Sequence, residues 1–197
     1  MKKLYGTILA DPPWPYHSPK AVVGNGGRGK TNIESATQVN VLEKYDVMPL
    51  EEIAGLPVRD LVADNAHLYL WTTNSFLCEA HDVARKWGFK PKTLLTWVKA
   101  KADGSPSMSV GHWFRSATEH ILFCVRGKKR LMGSKPLPTA YLLPRLPHSV
   151  KPDFFYGLIE GESPGPFLEL FARKNRTGWD SWGNEVPVGV DIFGKNA

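Results

Sequence analysis

An α/β sheet with helices on both faces is the fold class that this 197-residue chain predicts, on three observations. Four short runs, LYGTILA (4–10), HLYLWTT (67–73), TLLTWVK (93–99) and EHILFCVRG (119–127), are apolar on both faces of an extended strand. Between the second and third lies a stretch of helical period. Near the C-terminus a second one, KPDFFYGLIEGE (151–162), runs into another apolar strand, PFLELFAR (166–173). With 42% hydrophobic residues and no repeat or low-complexity linker, the length suits a single domain over 1–197.

The first strand runs into Asp11, Pro12, Pro13 and Trp14. Two prolines fix an extended turn that cannot join a ladder, so the Asp11 carboxylate and the Pro12 carbonyl are rigidly placed. Such a pair grips a planar amino group, each oxygen accepting one N–H, and draws the lone pair out of conjugation. Trp14 then offers a flat face for a base. The plain alternative is a proline-stiffened turn with Asp11 as a cap, but such a turn rarely needs two prolines and a tryptophan.

Residues 15–48 follow the proline turn as a loop region. Within it GNGGRGKT (24–31) fits the phosphate-loop pattern G-x-x-x-x-G-K-[ST] letter for letter. That pattern carries chemistry only between a buried strand and a helix, and upstream only Ala21 to Val23 is apolar. It reads instead as a mobile glycine-rich surface loop carrying Arg28 and Lys30.

The helix after the second strand is capped by Asn74 or Ser75. It buries Phe76, Leu77, Ala80, Val83, Ala84 and Trp87 on one face, and stops at Gly88 and Pro91. Strand, helix and strand form one unit; the terminal helix, with Pro152 in its first turn, and PFLELFAR form a second, and TGWDSWGNE (177–185) adds one more strand. The Pro-rich segment 127–150 has neither period and reads as a loop over the sheet edge.

The formal net charge of +6 favours an anionic partner. No acidic residue lies between Glu119 and Asp153, while Arg126, Lys128, Lys129, Arg130, Lys135, Arg145 and Lys151 do. That stretch reads as a phosphate-backbone surface or as a solvated loop. His112, Trp113 and Arg115 are candidates for stacking and phosphate contacts, with Trp113 and Phe114 equally suited to a core. Two isolated cysteines and no clustered His/Cys spacing indicate neither a disulfide framework nor a metal site. With no signal peptide and no membrane-length apolar run, the expected location is the cytoplasm.

The stretch DPPW (11–14) resembles the catalytic motif of adenine amino-methyltransferases that use S-adenosylmethionine. Its tryptophan form is similar to the messenger-RNA adenine methyltransferase group and its bacterial and phage relatives. HLYLWTTN, ARKWGFKPKTLLTWVK, GHWFRSATEHILFCVRG, HSVKPDFFYGLIE, LELFARK and GWDSWGNE follow in that family's order, so the resemblance spans nearly the whole chain. It implies a Rossmann-like S-adenosylmethionine-dependent methyltransferase sheet in permuted order, catalytic strand before cofactor strand. It also implies Asp11, Pro12, Pro13 and Trp14 as catalytic residues, and residues 15–48 as a mobile loop over the active site whose Arg28 and Lys30 touch nucleic-acid phosphates. By the same resemblance Lys151 meets the methionine carboxylate, Glu169 and Arg173 the ribose hydroxyls, and Asn175 and Asn184 the ribose or adenine edge. An acid suits a diol and a lysine suits a carboxylate on chemical grounds as well. After Arg173 the chain reads Lys174, Asn175, Arg176, where relatives often carry histidine and asparagine, and no G-x-G turn follows the strand. The implied reaction is methyl transfer to the exocyclic amine of adenine in nucleic acid, DNA favoured and RNA the alternative. Lys128, Lys129, Arg130, Arg28, Lys30, His112 and Arg115 form the expected nucleic-acid face, no metal is required, and a homodimer is allowed. The rival reading is a catalytically silent binding partner of the same fold, against which the intact Asp11 to Trp14 stands.

Overall fold

The computed structural model describes residues 3–16, 47–109, 113–147, 149–187 and 189–194. Arg28, Lys30, His112 and the phosphate-loop-like segment lie outside them. One sheet holds seven strands: β1 (Tyr5–Ala10), β2 (Val62–Thr72), β3 (Lys90–Ala100), β4 (Thr118–Arg126), β5 (Ala140–Pro144), β6 (Phe167–Leu170) and β7 (Trp179–Trp182). Their order is β5-β3-β4-β2-β1-β6-β7. The fourth strand is antiparallel to both its neighbours and every other adjacent pair is parallel.

Alternation along the strands builds two cores. Ile8, Leu68, Leu70, Leu122, Cys124 and Leu168 face helices α1 (Leu50–Gly55) and α2 (Leu77–Lys86), meeting Ile53, Val83, Ala84 and Trp87. Leu9, Tyr69, Trp71, Trp97, Ile121 and Phe123 face α3 (Phe154–Glu162), meeting Phe155, Tyr156 and Ile159. Burial on both faces is why these strands read as continuous apolar runs.

Two local expectations are corrected. The segment 127–150 is not loop throughout, because Ala140–Pro144 pairs in parallel with β3 as an edge strand, with exposed residues alternating along it. The strand's one proline, Pro144, is tolerated because an edge strand leaves one side of its backbone unpaired. Nor does Asn74 or Ser75 cap α2: a 3-10 turn, Asn74–Phe76, leads into the helix without a side-chain cap. The Asn74 side chain is engaged by His120, Ser116 and Thr118 instead. Gly88, at φ 87°, ends α2 in the left-handed conformation that glycine adopts without steric cost.

The strand directions fix where chemistry can occur. Strands β1, β2, β6 and β7 all end at one edge of the sheet, where β4, running the other way, begins. Crossovers on opposite faces flank β1 at that edge, the place where open α/β sheets bind ligands.

Candidate active site

Asp11 is the first residue past β1, on the α3 face by alternation from Leu9. Lys151, just before α3, reaches back so that its Nζ donates to Asp11 Oδ2 at 2.7 Å. The same ammonium lies 3.5 Å from Glu119 Oε2 and 5.2 Å above the Trp71 ring. Glu119 Oε1 in turn accepts from Lys99 Nζ at 2.5 Å. Two acids and two bases thus alternate along the edge as Asp11, Lys151, Glu119, Lys99. Burial alone would lower the Lys151 ammonium, but Asp11 and Glu119 outweigh it and hold its pKa above the ordinary value. Burial would likewise raise the Glu119 carboxyl, yet Lys151 and Lys99 bring it below its usual range. Glu119 and Lys99 were not singled out from sequence; the only signal was an acid opening an otherwise apolar strand.

Beside this row, Glu169 projects from β6 onto the same face and accepts a hydrogen bond from the Tyr156 hydroxyl at 2.7 Å. Its carboxyl is raised, by burial first and by Asp11 as well, against the lowering effect of the Tyr156 bond and of Arg176. Arg176 lies over the Tyr156 ring at 3.8 Å and pairs with Asp153 at the head of α3. It stands one residue after the Asn175 named from sequence.

The ends of β6 and β7 are drawn together by backbone. Ala172 N donates to the Trp182 carbonyl at 2.9 Å. A β-carbon on Gly183 would be driven into the Ala172 carbonyl oxygen and come within 2.7 Å of its nitrogen, so only glycine fits. This contact brings Arg173 and the exposed Asn184 to neighbouring turns, with Arg173 Nη1 3.6 Å from Glu185 Oε1.

Trp14 takes a different position from the predicted one. The proline turn carries the chain over the sheet edge to the α1/α2 face, where Trp14 is only 4% exposed. Its ring stacks on Phe76 at 5.5 Å and its Nε1–H donates to the Trp71 carbonyl at 3.0 Å. A ring covered in this way offers no face to a base, so the role of Trp14 here is to anchor the turn. The Pro12 carbonyl accepts from Trp14 N at 2.9 Å and retains its second lone pair. Tyr16, missed from sequence although it follows Pro15 directly, is 47% exposed at the same edge, its hydroxyl donating to Thr73 Oγ1 at 2.9 Å.

Among the described residues, those expected to meet nucleic acid divide between the two ends of the strands. Arg115 sits in the β3–β4 connection, at the Asp11 edge. Lys128, Lys129 and Arg130 follow the far end of β4, roughly 25 Å from its start, and the structure does not bring them to the site. His67 and Asn65 hold that turn, the imidazole meeting the Lys129 carbonyl and the Asn65 Oδ1 accepting from Lys128 N.

An acid on a proline-fixed turn at a parallel strand end thus faces a lysine at the head of the crossover helix, with a second acid on the adjoining strand, the arrangement expected of the α/β methyltransferase sheet that the sequence resembles. A comparison with protein families matches residues 5–185 to MT-A70. The chain belongs to the MT-A70 family of adenine-N6 methyltransferases, which depend on S-adenosylmethionine as a class. It is 33% identical to a Type II methyltransferase, M.MunI, of Mycoplasma sp, over 94% of this chain and 79% of that protein. It is 28% identical to the N6-methyladenosine RNA methyltransferase MTA1 of Cryphonectria parasitica, over 93% of this chain and 52% of that protein. It is also 28% identical to the human N(6)-adenine-specific methyltransferase METTL4, over 94% of this chain and 38% of that protein. The chain thus spans about half or less of the last two.

Proposed function

We propose that this chain transfers a methyl group from S-adenosylmethionine to the exocyclic N6 of adenine in nucleic acid, with DNA the favoured polymer. The observation that carries the reading is the Asp11 carboxylate, held 2.7 Å from Lys151 beside the Pro12 carbonyl at the carboxyl edge of the parallel strands. DNA is favoured because the likeness to the Type II methyltransferase is higher in identity and covers more of that protein than the likeness to the RNA methyltransferase does.

The residues present fit the cofactor. Lys151 is a buried cation at the site, suited to a carboxylate, and Glu169 keeps an oxygen beyond its Tyr156 bond for a ribose hydroxyl. The Gly183 contact sets Arg173 and Asn184 at adjoining turns, with Asn175 following on the same connection. When bound, S-adenosylmethionine supplies a methyl group on a sulfonium, already a good leaving group. The protein's part is then position and charge. Asp11 accepts one N–H of the adenine amine and the Pro12 carbonyl accepts the other, turning the nitrogen lone pair away from the ring. Lys151 balances the Asp11 charge, Glu119 and Lys99 hold Lys151 in place, and Tyr16 presents an exposed ring at the mouth.

Purified protein should place a labelled methyl group on N6 of adenine in an adenine-containing oligonucleotide. Asp11→Asn, which keeps the shape and loses the charge, should lower turnover about 10²- to 10³-fold while a thermal shift with the cofactor persists. Wild-type turnover in that variant sinks the assignment. Parallel DNA and RNA substrates decide the polymer, and protein that binds the cofactor yet methylates neither would be a silent partner.

A further inference from the structure

The connection between β3 and β4 carries the two most exposed aromatic side chains among the described residues. Trp113 is 94% exposed and Phe114 93%, adjacent in sequence and followed by Arg115. Burying such rings is favourable, so a pair left in water beside a functional edge marks a contact surface. The connection is anchored, since Ser109 N and Oγ both donate to the Ser116 carbonyl and Arg115 Nε donates to the Ser109 carbonyl at 3.0 Å. Ser116 Oγ accepts from Asn74 Nδ2, which ties it to the residues just past β2. The ring pair therefore stands at the edge that carries Asp11, Glu119 and Lys99.

Charge identifies the occupant. Exposed Lys101 begins the segment beyond β3, Arg145 donates from its backbone to Ala100 and from Nη1 to Ser107, and Arg115 reaches Ser109. The described residues from Lys99 to Ala117 hold three cations, Lys99, Lys101 and Arg115, and one acid, Asp103, whose carboxylate already accepts from Ser105. Two flat rings on a connection that carries Lys101 and Arg115 and is tied to Arg145 match a polymer of flat bases on a phosphate backbone.

We propose that Trp113 and Phe114 are a stacking platform for the nucleotide next to the target adenine, with Arg115, Lys101 and Arg145 on the neighbouring phosphates. This rests on the reading that a polymer adenine is the substrate. An adenine taken into the Asp11 pocket leaves the stack, so the base beside it loses a partner, and an aromatic ring replaces that partner without reading sequence.

The test compares wild type with Trp113→Leu/Phe114→Leu, which keeps apolar bulk and removes the flat rings. The probe is a fluorescein-labelled 21-nucleotide adenine-containing strand, intact or with an abasic position on either side of the adenine. The double variant should bind the intact strand about 10- to 100-fold more weakly, retain the thermal shift with S-adenosylmethionine, and be indifferent to the abasic flanks. Wild type should lose affinity when a flank is abasic. Equal affinity in the two proteins overturns the proposal, as does a wild type insensitive to both abasic flanks. A double variant with altered oligomeric state on size exclusion overturns it too, assigning the rings to a contact between copies. Because the comparison reads binding alone, wild type that binds yet methylates nothing defeats the catalytic reading and leaves the platform standing.

Discussion

Glu169 shows how placement changes the behaviour of a single group. Burial and the nearby Asp11 raise its carboxyl, so it takes up a proton at a higher pH than an ordinary glutamate near 4.3. If its carboxylate form accepts the ribose hydroxyls, cofactor affinity rises with pH through that raised value and is lost as pH falls through it. Titration of S-adenosylmethionine binding from pH 8 downward should therefore show weakening above the normal carboxylate range. Glu169→Gln should bind more weakly at pH 8 and show no such inflection. Affinity independent of pH down to 4.5 would show that Glu169 does not hold the cofactor.

At the level of elements, two glycines of similar appearance in the sequence have opposite roles. Gly183 sits where a β-carbon meets the Ala172 backbone, so Gly183→Ala must separate the ends of β6 and β7. The expected cost is about 1–3 kcal/mol in urea unfolding, with cofactor affinity falling as well. Gly157, inside α3 with nothing within 4 Å of its virtual β-carbon, should gain about 0.5–1 kcal/mol on replacement by alanine. Neither contrast is visible in the letters alone. The four apolar strands, the α2 face and the β6 strand were legible because burial on one or both faces imposes a period on residue type. Strand β5 was not, since an edge strand half in water needs no apolar run and tolerates Pro144. Asp11 could be placed from its proline turn, whereas the position of Trp14 depends on which way that turn crosses the sheet edge, and sequence does not record it. The pairing of Lys151 with Glu119 joins residues from distant elements and appears only once β4 is seen to run against its neighbours.

For the molecule as a whole, the reversed direction of β4 places the basic turn at Lys128, Lys129 and Arg130 on the edge away from Asp11. A separation of roughly 25 Å along the strand equals about seven base-pair steps, before any path around the surface is counted. Oligonucleotides of five or six nucleotides seated at Asp11 should therefore bind the triple variant Lys128→Gln/Lys129→Gln/Arg130→Gln as tightly as wild type. Long duplexes should bind it more weakly, with a flatter salt dependence. If the triple variant weakened the shortest strands equally, the catalytic end and the basic turn would be acting on one short path.

The row Asp11, Lys151, Glu119, Lys99 has no net charge when each member is ionised. In the resting protein one oxygen of Asp11, the acid proposed to accept the adenine amine, is held by the Lys151 ammonium, which weakens that carboxylate as an acceptor. On the proposed reading, a methionine carboxylate sharing Lys151 would loosen that hold and strengthen Asp11 as an acceptor for the amine. The two substrates should then add in sequence, cofactor before polymer, rather than at random. Product-inhibition kinetics read this directly: S-adenosylhomocysteine should compete with S-adenosylmethionine and act noncompetitively against the oligonucleotide. Oligonucleotide affinity should also rise several-fold when the cofactor site is filled, and the same affinity with and without cofactor would indicate independent sites.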